Sequence, residues 1–544
     1  MINNRPGSQS FWLASFALFI ASIPVIWLQP LLPIDETRYL AVAWEMWRDQ
    51  NFIVPHLNEN YYSHKPPLYF WLIHAGWYVF GVVDWWARVV SLLAAVLCLW
   101  YVRQIALELW PNKLAVSTHA VWLMAPMGLF FLFSSAVMFD VLLLCWTLLA
   151  SLSLIRLAKK PDSTHWWVLV IAIVLGGLTK GPVMLLHTSL IVGLLKFVMP
   201  VRKSWFVWLG QYLTAVFMAL AIMMIWIIPA VVLGGPEYTE ALLWKQTAGR
   251  VVNSFAHVRS WWWYLPLLIP VFLPWSLNVK WWKLKVRGFD PGFQLILLWF
   301  ILDFALLMMM PTKQGHYLMP LIPMVALLVA RVQVDENIIT RPYLLSVAGF
   351  GLGGVFLAVN LGWEPSWLIG RNFQLPYLLP VAAALFSALI LVRQRKPSSI
   401  AVLSMCLLIS LRVSLVQVAE NAQNIKPLAQ EISRLQKMGV EVVQLRKYQG
   451  QFHFMGQLEN SIENICGRES SQWIRENPQA AIITYAKKIP DNFALYLNST
   501  FSYRGGYAYI WSAENYLKLL TLPDMAGENI KGLRCKKSAG YAPE

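Results

Sequence analysis

The chain has 544 residues, of which 58% are hydrophobic and 13% are charged, and its mean hydropathy is +0.52. A soluble domain carries about 25% charged residues, so this composition excludes an ordinary soluble protein and predicts a chain that needs lipid. The formal net charge of +16 does not indicate nucleic-acid binding. The basic residues fall mostly in short loops between apolar runs, where they orient membrane spans.

Apolar runs of the length that crosses a bilayer, about 17 to 25 residues, recur up to about residue 416. They predict thirteen spans, near residues 11–29, 86–106, 115–135, 140–158, 165–179, 182–199, 205–233, 261–279, 292–310, 317–331, 343–362, 374–392 and 399–416. The first run could be the apolar part of a signal peptide. It is long and lacks a small-residue cleavage pattern, so we interpret it as a retained span.

The loop charges alternate along the predicted spans. With the N-terminus inside, every second loop is basic, as in the group Lys280, Lys283, Lys285 and Arg287. This agrees with the positive-inside rule. The remaining loops, including the long loop 30–85, are therefore predicted to lie outside the cytoplasm. Two segments of that loop, 37–48 and 67–80, have the amphipathic character of helices on a membrane surface.

The sequence becomes more polar after residue 416, and this change in composition divides the chain into two predicted domains. Residues 1–416 form a mainly α, polytopic membrane domain, and residues 417–544 form a mixed α/β soluble domain outside the cytoplasm. The pattern of the second domain predicts a helix over 429–437 and strands over 440–445, 480–485 and 507–511. Cys466 and Cys535 are its two cysteines, and they form either a disulfide or two free thiols.

Carboxylates are candidates for chemistry on the predicted outer face. Asp35 and Glu36 follow the first span, and they fit either a helix start, with Asp35 as the N-cap and Glu36 in the first turn, or a functional pair. Asp140 stands at the head of the fourth span, where a carboxylate is costly unless it meets water or a partner. It too fits either a favourable charge at a helix N-terminus or a functional group.

Cations lie on the same predicted face. Lys65 precedes Pro66 and Pro67, which restrict the backbone there, and lysine binds phosphate as a compact charge. The alternative is a lysine that extends to the interface. The neighbouring His64 is a candidate metal ligand or an ordinary polar residue. Three more cations, each of which could simply be solvated or interfacial, are Lys180, Arg250 and Lys313.

Together, these charges suit a phosphate-bearing substrate. The cations would hold the phosphate and stabilise the leaving group, and a carboxylate would orient or deprotonate the acceptor. The sequence contains no Walker loop, dinucleotide fingerprint or zinc-ligand spacing. It therefore favours a donor carried in the membrane over a nucleotide.

In these motifs the chain resembles the GT-C membrane glycosyltransferases. It is most similar to the aminoarabinose transferases that modify lipid A, which are relatives of the protein O-mannosyltransferases. The shared motifs span residues 10–420 and are Asp35-Glu36-Thr-Arg-Tyr39, Tyr62 with Lys65-Pro-Pro-Leu68, Asp140, Leu178-Thr-Lys-Gly-Pro182, Gly249-Arg250, and Lys313 with Tyr317-Leu-Met-Pro320. The chain has His64 where the aminoarabinose enzymes have an acidic residue.

The resemblance implies a sugar donor linked to a polyprenyl phosphate, an envelope acceptor such as lipid A, and a periplasmic active site in a bacterial inner membrane. Three groups of residues would form the site. The catalytic group is Asp35, Glu36 and Asp140; the donor phosphate group is Lys65, Arg250, Lys313 and Tyr317; the cavity group is Tyr39, Tyr62, Lys180 and His316. The sequence assigns no definite cofactor, and a divalent metal, with His64 as a candidate ligand, is left open.

Two alternatives remain at this stage. The first is a transferase that acts on another glycan or on protein. The second is a flippase or transporter for an anionic lipid. Transporters often contain internal repeats and charges near the middle of the membrane. Here the charges lie at the predicted outer boundary, which favours the enzyme.

Overall fold

The architecture is mostly helical. The computed structural model describes residues 8–160, 162–201, 203–245, 258–277, 290–336, 347, 349, 378–391, 393–394, 396–445, 448–465, 469–489, 491–504 and 506–521. In chain order, its helices are α1 (Ser8–Leu28), α2 (Asp35–Arg48), α3 (Leu68–Phe80), α4 (Trp85–Leu109), α5 (Leu114–Met124), α6 (Gly128–Phe133), α7 (Phe139–Lys159), α8 (Ser163–Lys180), α9 (Val183–Val198), α10 (Trp205–Glu240), α11 (Leu268–Val271), α12 (Pro291–Met309), α13 (Leu321–Asp335), α14 (Leu378–Leu391), α15 (Pro397–Gln423), α16 (Lys426–Lys437), α17 (His453–Gly456), α18 (Glu469–Glu476) and α19 (Ala513–Leu520).

Membrane-spanning character is clearest in seven helices of the described part of the chain. They are long and apolar enough to cross a bilayer, and they cover Gln9–Leu28, Trp85–Leu109, Phe139–Lys159, Ser163–Lys180, Trp205–Trp244, Pro291–Met309 and Gly315–Asp335. Side chains on the fifth, such as Phe206, Phe217 and Ile225, are 89%, 73% and 77% exposed. So much exposed apolar surface requires lipid. The multi-pass prediction is confirmed, and the count of thirteen spans stays a prediction.

Two predicted spans have a different form. Residues 115–135 are divided between α5 and α6, and Pro126 lies in the gap. The prediction of a continuous span over 261–279 is wrong, because its described part consists of 3-10 turns at Trp261–Tyr264 and Trp275–Leu277 with the short α11 between them. Proline lacks the backbone N–H and clashes within a helix, so Pro266, Pro270 and Pro274 interrupt the run. The predicted span 343–362 lies almost entirely outside the described residues.

The chain forms two compact units. The first comprises Met1–Leu28 and Ser63–Ser414, and the second comprises Gln29–Tyr62 and Leu415–Glu544. The second unit therefore takes in the first half of the long loop 30–85.

A five-stranded mixed sheet forms the centre of the second unit. Its strands are β3 (Val442–Gln444), β4 (Glu463–Asn464), β5 (Ala481–Ala486), β6 (Ser499–Tyr503) and β7 (Gly506–Ser512), in the order β4-β3-β5-β7-β6. The two pairings of β3 are parallel, and the two pairings of β7 are antiparallel. The predicted helix and three predicted strands of this region are confirmed by α16, β3, β5 and β7.

Apolar side chains cover both faces of this sheet. One cluster packs Val443, Ile482 and Trp511 together, and the other packs Val442 and Ile483 with residues of α16. This pattern follows from the period of two in a strand, because successive side chains point to opposite faces.

Helix α2 holds a small hairpin within the second unit. Strands β1 (His56–Leu57) and β2 (Asn60–Tyr61) are joined by Asn58 and Glu59, which have φ of 55° and 64°. Two central residues with positive φ define the tight hairpin turn that matches strand twist. The buried Glu45 carboxylate accepts from the backbone N–H of Asn58 at 2.6 Å and of Glu59 at 3.0 Å. These bonds compensate for the strained turn.

A buried histidine makes this unit sensitive to acid. His453 is fully buried, its Nδ1 lies 2.7 Å from the Tyr448 hydroxyl, and burial lowers its pKa to about 3. The unfolded chain therefore binds a proton below pH 6.5 that the folded chain does not bind. Stability is thus complete above that pH and falls as the pH is lowered further.

We expect acidification from about pH 7.5 to about pH 5 to cost the wild type about 2 kcal/mol more than His453→Gln. Thermal unfolding of the purified protein at both pH values measures this difference. Glu45, whose pKa is raised chiefly by burial, acts in the opposite direction. Its Oε1 lies 3.8 Å from the His453 Nε2, so the same comparison made in a Glu45→Gln background removes its contribution. An equal pH dependence in the two proteins would contradict a neutral, buried His453.

Candidate active site

The first unit contains a buried ion pair that joins two consecutive spans. Lys180 Nζ donates to Asp140 Oδ1 at 2.7 Å, and the two side chains are 11% and 7% exposed. A carboxylate and an ammonium at this depth are stable only as partners, because either charge alone would be costly to desolvate. The structure therefore brings together two predicted site residues that are 40 positions apart in sequence.

Local sequence places both members of the pair at helix ends. Asp140 is in the first turn of α7, where the N-terminal backbone N–H groups favour a negative charge. Lys180 is the last residue of α8, and a cation is favoured there. Gly181 follows with φ of 68°, a conformation that suits glycine, and it ends the helix.

A segment of the chain before α13 adds two aromatic rings to this pair. The Lys180 ammonium lies 5.1 Å from the centre of the Tyr317 ring, and the His316 ring stands perpendicular to that of Tyr317 at 4.8 Å. His316 also lies within electrostatic range of the Asp140 carboxylate. An ammonium over an aromatic face is attracted by the ring quadrupole, so Tyr317 helps to fix the direction of Lys180.

Lys65 completes the charged group in this unit. Its ammonium lies 5.6 Å from the centre of the Phe139 ring, and its charge acts on the adjacent Asp140 carboxylate. The unit thus gathers Asp140, Lys65 and Lys180 with His316 and Tyr317 from four separate stretches of the sequence. We call these five residues the charged cluster.

Lys313 has a different environment from the other lysines. It is 2% exposed, and its ammonium donates to the backbone carbonyls of Met310 and Arg259. A bridge between Val258 and Thr312 joins the same two stretches. Lys313 therefore ties two backbone segments together, and its predicted contact with a phosphate stays a prediction.

The predicted residues in the first half of the outer loop, Asp35, Glu36, Tyr39 and Tyr62, lie in the second unit. Asp35 pairs with Arg38, and the Glu36 carboxylate accepts from the backbone N–H of Leu32 at 2.9 Å. Tyr39 and Tyr62 are both 5% exposed. The interpretation of Asp35 as an N-cap is wrong, because Ile34 holds that position and Asp35 is the first helical residue.

The remaining predicted residues are the candidate metal ligand His64 and those that lie outside the described part of the chain. His64 is exposed, and within the described ranges no three His, Cys, Asp or Glu side chains are grouped in a way that could hold a metal ion. The metal role of His64 stays a prediction. Arg250 lies outside the described residues, as do Cys466 and Cys535.

Sequence reasoning missed the aromatic side chains beside the cluster. Phe139 lies under Lys65, and the ring of Phe133 is 6.1 Å from that of His316. The position of Phe139 next to Asp140 was an available signal. The contact between Phe133 and His316 depends on the packing of segments that are far apart in the sequence. No sequence signal indicated it.

Residues 64–228 match the family model of dolichyl-phosphate-mannose-protein mannosyltransferases. Two relatives are undecaprenyl phosphate-alpha-4-amino-4-deoxy-L-arabinose arabinosyl transferases. The protein from Photorhabdus laumondii is 26% identical, over 62% of this chain and 61% of the relative. The protein from Pseudomonas paraeruginosa is 28% identical, over 65% and 64%. The matches thus span somewhat less than two thirds of these relatives.

The fold is similar to that of a solved structure, ArnT from Cupriavidus metallidurans bound to undecaprenyl phosphate. The TM-score is 0.68 with 17% identity, and the similarity covers 93% of this chain and 97% of that one. The apo structure of the same protein gives the same TM-score, with 16% identity. These matches confirm the resemblance that the sequence motifs indicated.

Proposed function

We infer that this chain, a GT-C glycosyltransferase similar to the aminoarabinose transferases, moves a sugar from a polyprenyl phosphate to an envelope acceptor. The leading sugar is 4-amino-4-deoxy-L-arabinose, and the leading acceptor is lipid A on the periplasmic face of the inner membrane. The observation that carries this proposal is the buried Asp140–Lys180 pair with Lys65 and Tyr317 beside it. It concentrates positive charge at the ends of apolar helices, where the phosphate of a lipid-borne donor would lie.

The reaction is a direct displacement at the anomeric carbon of the sugar. An acceptor oxygen forms a bond to this carbon while the bond from the carbon to the phosphate oxygen breaks. The electron pair stays on that oxygen, so the departing polyprenyl phosphate gains one negative charge. The ammonium groups of Lys65 and Lys180 stabilise that charge most strongly as it develops, which is the condition for catalysis.

The chemistry of the acceptor determines whether the reaction needs a carboxylate as a general base. A lipid A phosphate is already ionised and attacks without giving up a proton. A hydroxyl on another glycan or on protein must lose its proton to a base. Asp140 is held by Lys180, so in the first case its role is to position the ammonium. Asp35 is 48% exposed and pairs with Arg38, and it is the candidate base in the second case.

We test the proposal by mass spectrometry of lipid A. The host makes polyprenyl-linked aminoarabinose, lacks its own transferase, and expresses the wild type, Asp140→Asn or the matched control Asp162→Asn. Asp162 heads the span after Asp140 and caps it through a bond from the Thr164 backbone N–H. We expect an aminoarabinose adduct with the wild type and the control, and a strongly reduced adduct with Asp140→Asn.

The absence of an adduct from folded, membrane-inserted wild type would reject this pair of donor and acceptor. Sugar on a protein or on another glycan in the same cells would instead support the hydroxyl-acceptor alternative. The match to a model of protein mannosyltransferases is the observation that keeps this alternative. An adduct of equal size from Asp140→Asn would reject the role of the pair but not the transfer.

A further inference from the structure

A second pair of titratable groups lies inside the first unit, away from the charged cluster. His187 on α9 and Asp303 on α12 are 3% and 0% exposed. The His187 Nδ1 lies 2.8 Å from Asp303 Oδ1 and 3.1 Å from Oδ2, so its N–H donates to the carboxylate. Both helices are predominantly apolar, and ionisable side chains in such helices are costly to bury. Their presence calls for a function that apolar packing would not serve.

Helix α9 is also fixed to two other helices at this level. Thr188 and Ser189 lie 2.9 Å and 3.1 Å from the Tyr212 hydroxyl on α10. On α8, Gly176 packs so closely on Met184 that a Cβ at this glycine would lie 1.8 Å from the Met184 sulfur. The His187–Asp303 bond supplies the corresponding polar contact with α12.

The two helices joined by this bond lead directly to the charged cluster. Helix α9 begins at Val183, just after Lys180, and α12 ends at Met309, before the segment with Lys313 and Tyr317. At a rise of about 1.5 Å per residue, His187 and Asp303 lie roughly 6 Å and 9 Å from those helix ends. The Lys180 ammonium and the Tyr317 ring meet at 5.1 Å. The segments that flank α9 and α12 therefore meet again at the site.

We propose that His187 and Asp303 are positioning residues for the transfer reaction. Their bond fixes α9 against α12, and through the helix ends it fixes Lys180 against residues 310–317. This proposal rests on the proposed function. A displacement of about 1 Å between groups that bind the reacting phosphate is enough to slow a reaction about 100-fold, so the spacing of these two helices bears directly on the rate.

The test compares variants of the full-length protein in lipid nanodiscs. His187→Leu/Asp303→Leu removes both polar groups together, because loss of one partner would leave the other buried side chain without its hydrogen bond. His187→Asp/Asp303→His restores the bond in the opposite direction. Tyr212→Phe is the matched control, since it removes the hydroxyl contact between α9 and α10 and leaves the contact with α12 intact.

Two readouts separate positioning from simple packing. Hydrogen–deuterium exchange of residues 310–320 reports the order of the segment without any substrate. Steady-state transfer gives kcat and the KM for the polyprenyl-phosphate sugar. In the double Leu variant we expect exchange to rise about tenfold and kcat to fall about 10- to 100-fold, with an unfolding temperature close to that of the wild type. The swapped pair should recover both readouts to within about threefold, and Tyr212→Phe should change neither.

Wild-type exchange and kcat in a folded double Leu variant would overturn the proposal. Should that variant not fold, the swapped pair decides: slow exchange supports positioning, and fast exchange in a folded protein overturns it. If the wild type transfers no sugar from any polyprenyl-phosphate donor, the proposed function fails. The exchange result then still decides whether the pair orders residues 310–320.

Discussion

Replacing Asp140 by Asn is expected to lower the kcat of sugar transfer about 100- to 1,000-fold, and Lys180→Met is expected to do the same. The two side chains are 2.7 Å apart and nearly buried, so the loss of either leaves the other without its partner. Because the pair acts as one unit, Asp140→Asn/Lys180→Met should lose little more than either single variant. Single-turnover rates of the purified protein with a polyprenyl-phosphate sugar measure all three effects.

Asp162→Asn is the control for this series. Asp162 also heads a spanning helix, and Asn caps a helix as well as Asp does. Its kcat should stay within about twofold of the wild type. Additive losses in the double variant would show that Asp140 and Lys180 act independently, contrary to the geometry. A folded Asp140→Asn variant with wild-type kcat would remove the carboxylate from the mechanism.

The sequence predicts spans well where polar residues mark both ends of an apolar run. The predictions 86–106 and 140–158 differ by only a few residues from α4 and α7. The run 261–279 has the composition of a span, but its three prolines prevent a continuous helix. The mean hydropathy of such a run measures how apolar it is. It does not measure the effect of proline on the continuity of a helix.

The alternation of basic loops also predicts which residues share a face. It assigns Asp140 and Lys180 to the outer ends of consecutive spans, and the structure finds them paired. The pairing itself depends on how α7 and α8 pack, which no local pattern encodes. His187 and Asp303 are visible in sequence as ionisable residues within the apolar runs 182–199 and 292–310. Their partnership required the packing of α9 on α12.

The interpretation of Asp35 as a helix cap shows another limit of local rules. An Asp before a helical pattern is a good N-cap on propensity alone. In the structure Ile34 takes that position without a side-chain bond, and Asp35 pairs with Arg38. The helix begins one residue earlier than the cap signal predicts, and the Glu36 carboxylate, not that of Asp35, accepts from a backbone N–H, that of Leu32. A propensity rule does not fix a helix boundary to a single residue.

Lys65→Met is expected to lower kcat about 10- to 100-fold and to raise the KM for the donor. The Lys65 ammonium lies over the Phe139 ring, next to Asp140, where the phosphate of the donor is proposed to bind. A hydrogen bond to a charged group contributes about 1.5 to 3 kcal/mol, which corresponds to this range of rates. The effect on kcat should exceed the effect on KM, because the phosphate gains charge as the bond to the sugar breaks. Initial rates at varied donor concentration separate the two constants.

Two further variants define what Lys65 contributes. Lys65→Arg keeps the charge but spreads it over a planar group, so its kcat should lie between those of the wild type and Lys65→Met. Lys159→Met removes an ammonium from the last turn of α7, where it contacts Glu108, and should leave both constants unchanged. A Lys65→Met variant that raised the KM for the acceptor alone would place Lys65 at the acceptor instead. The positive charge that meets the donor phosphate would then have to come from another predicted cation, such as Arg250 or Lys180, and the Lys180 ammonium is already shared between Asp140 and the Tyr317 ring.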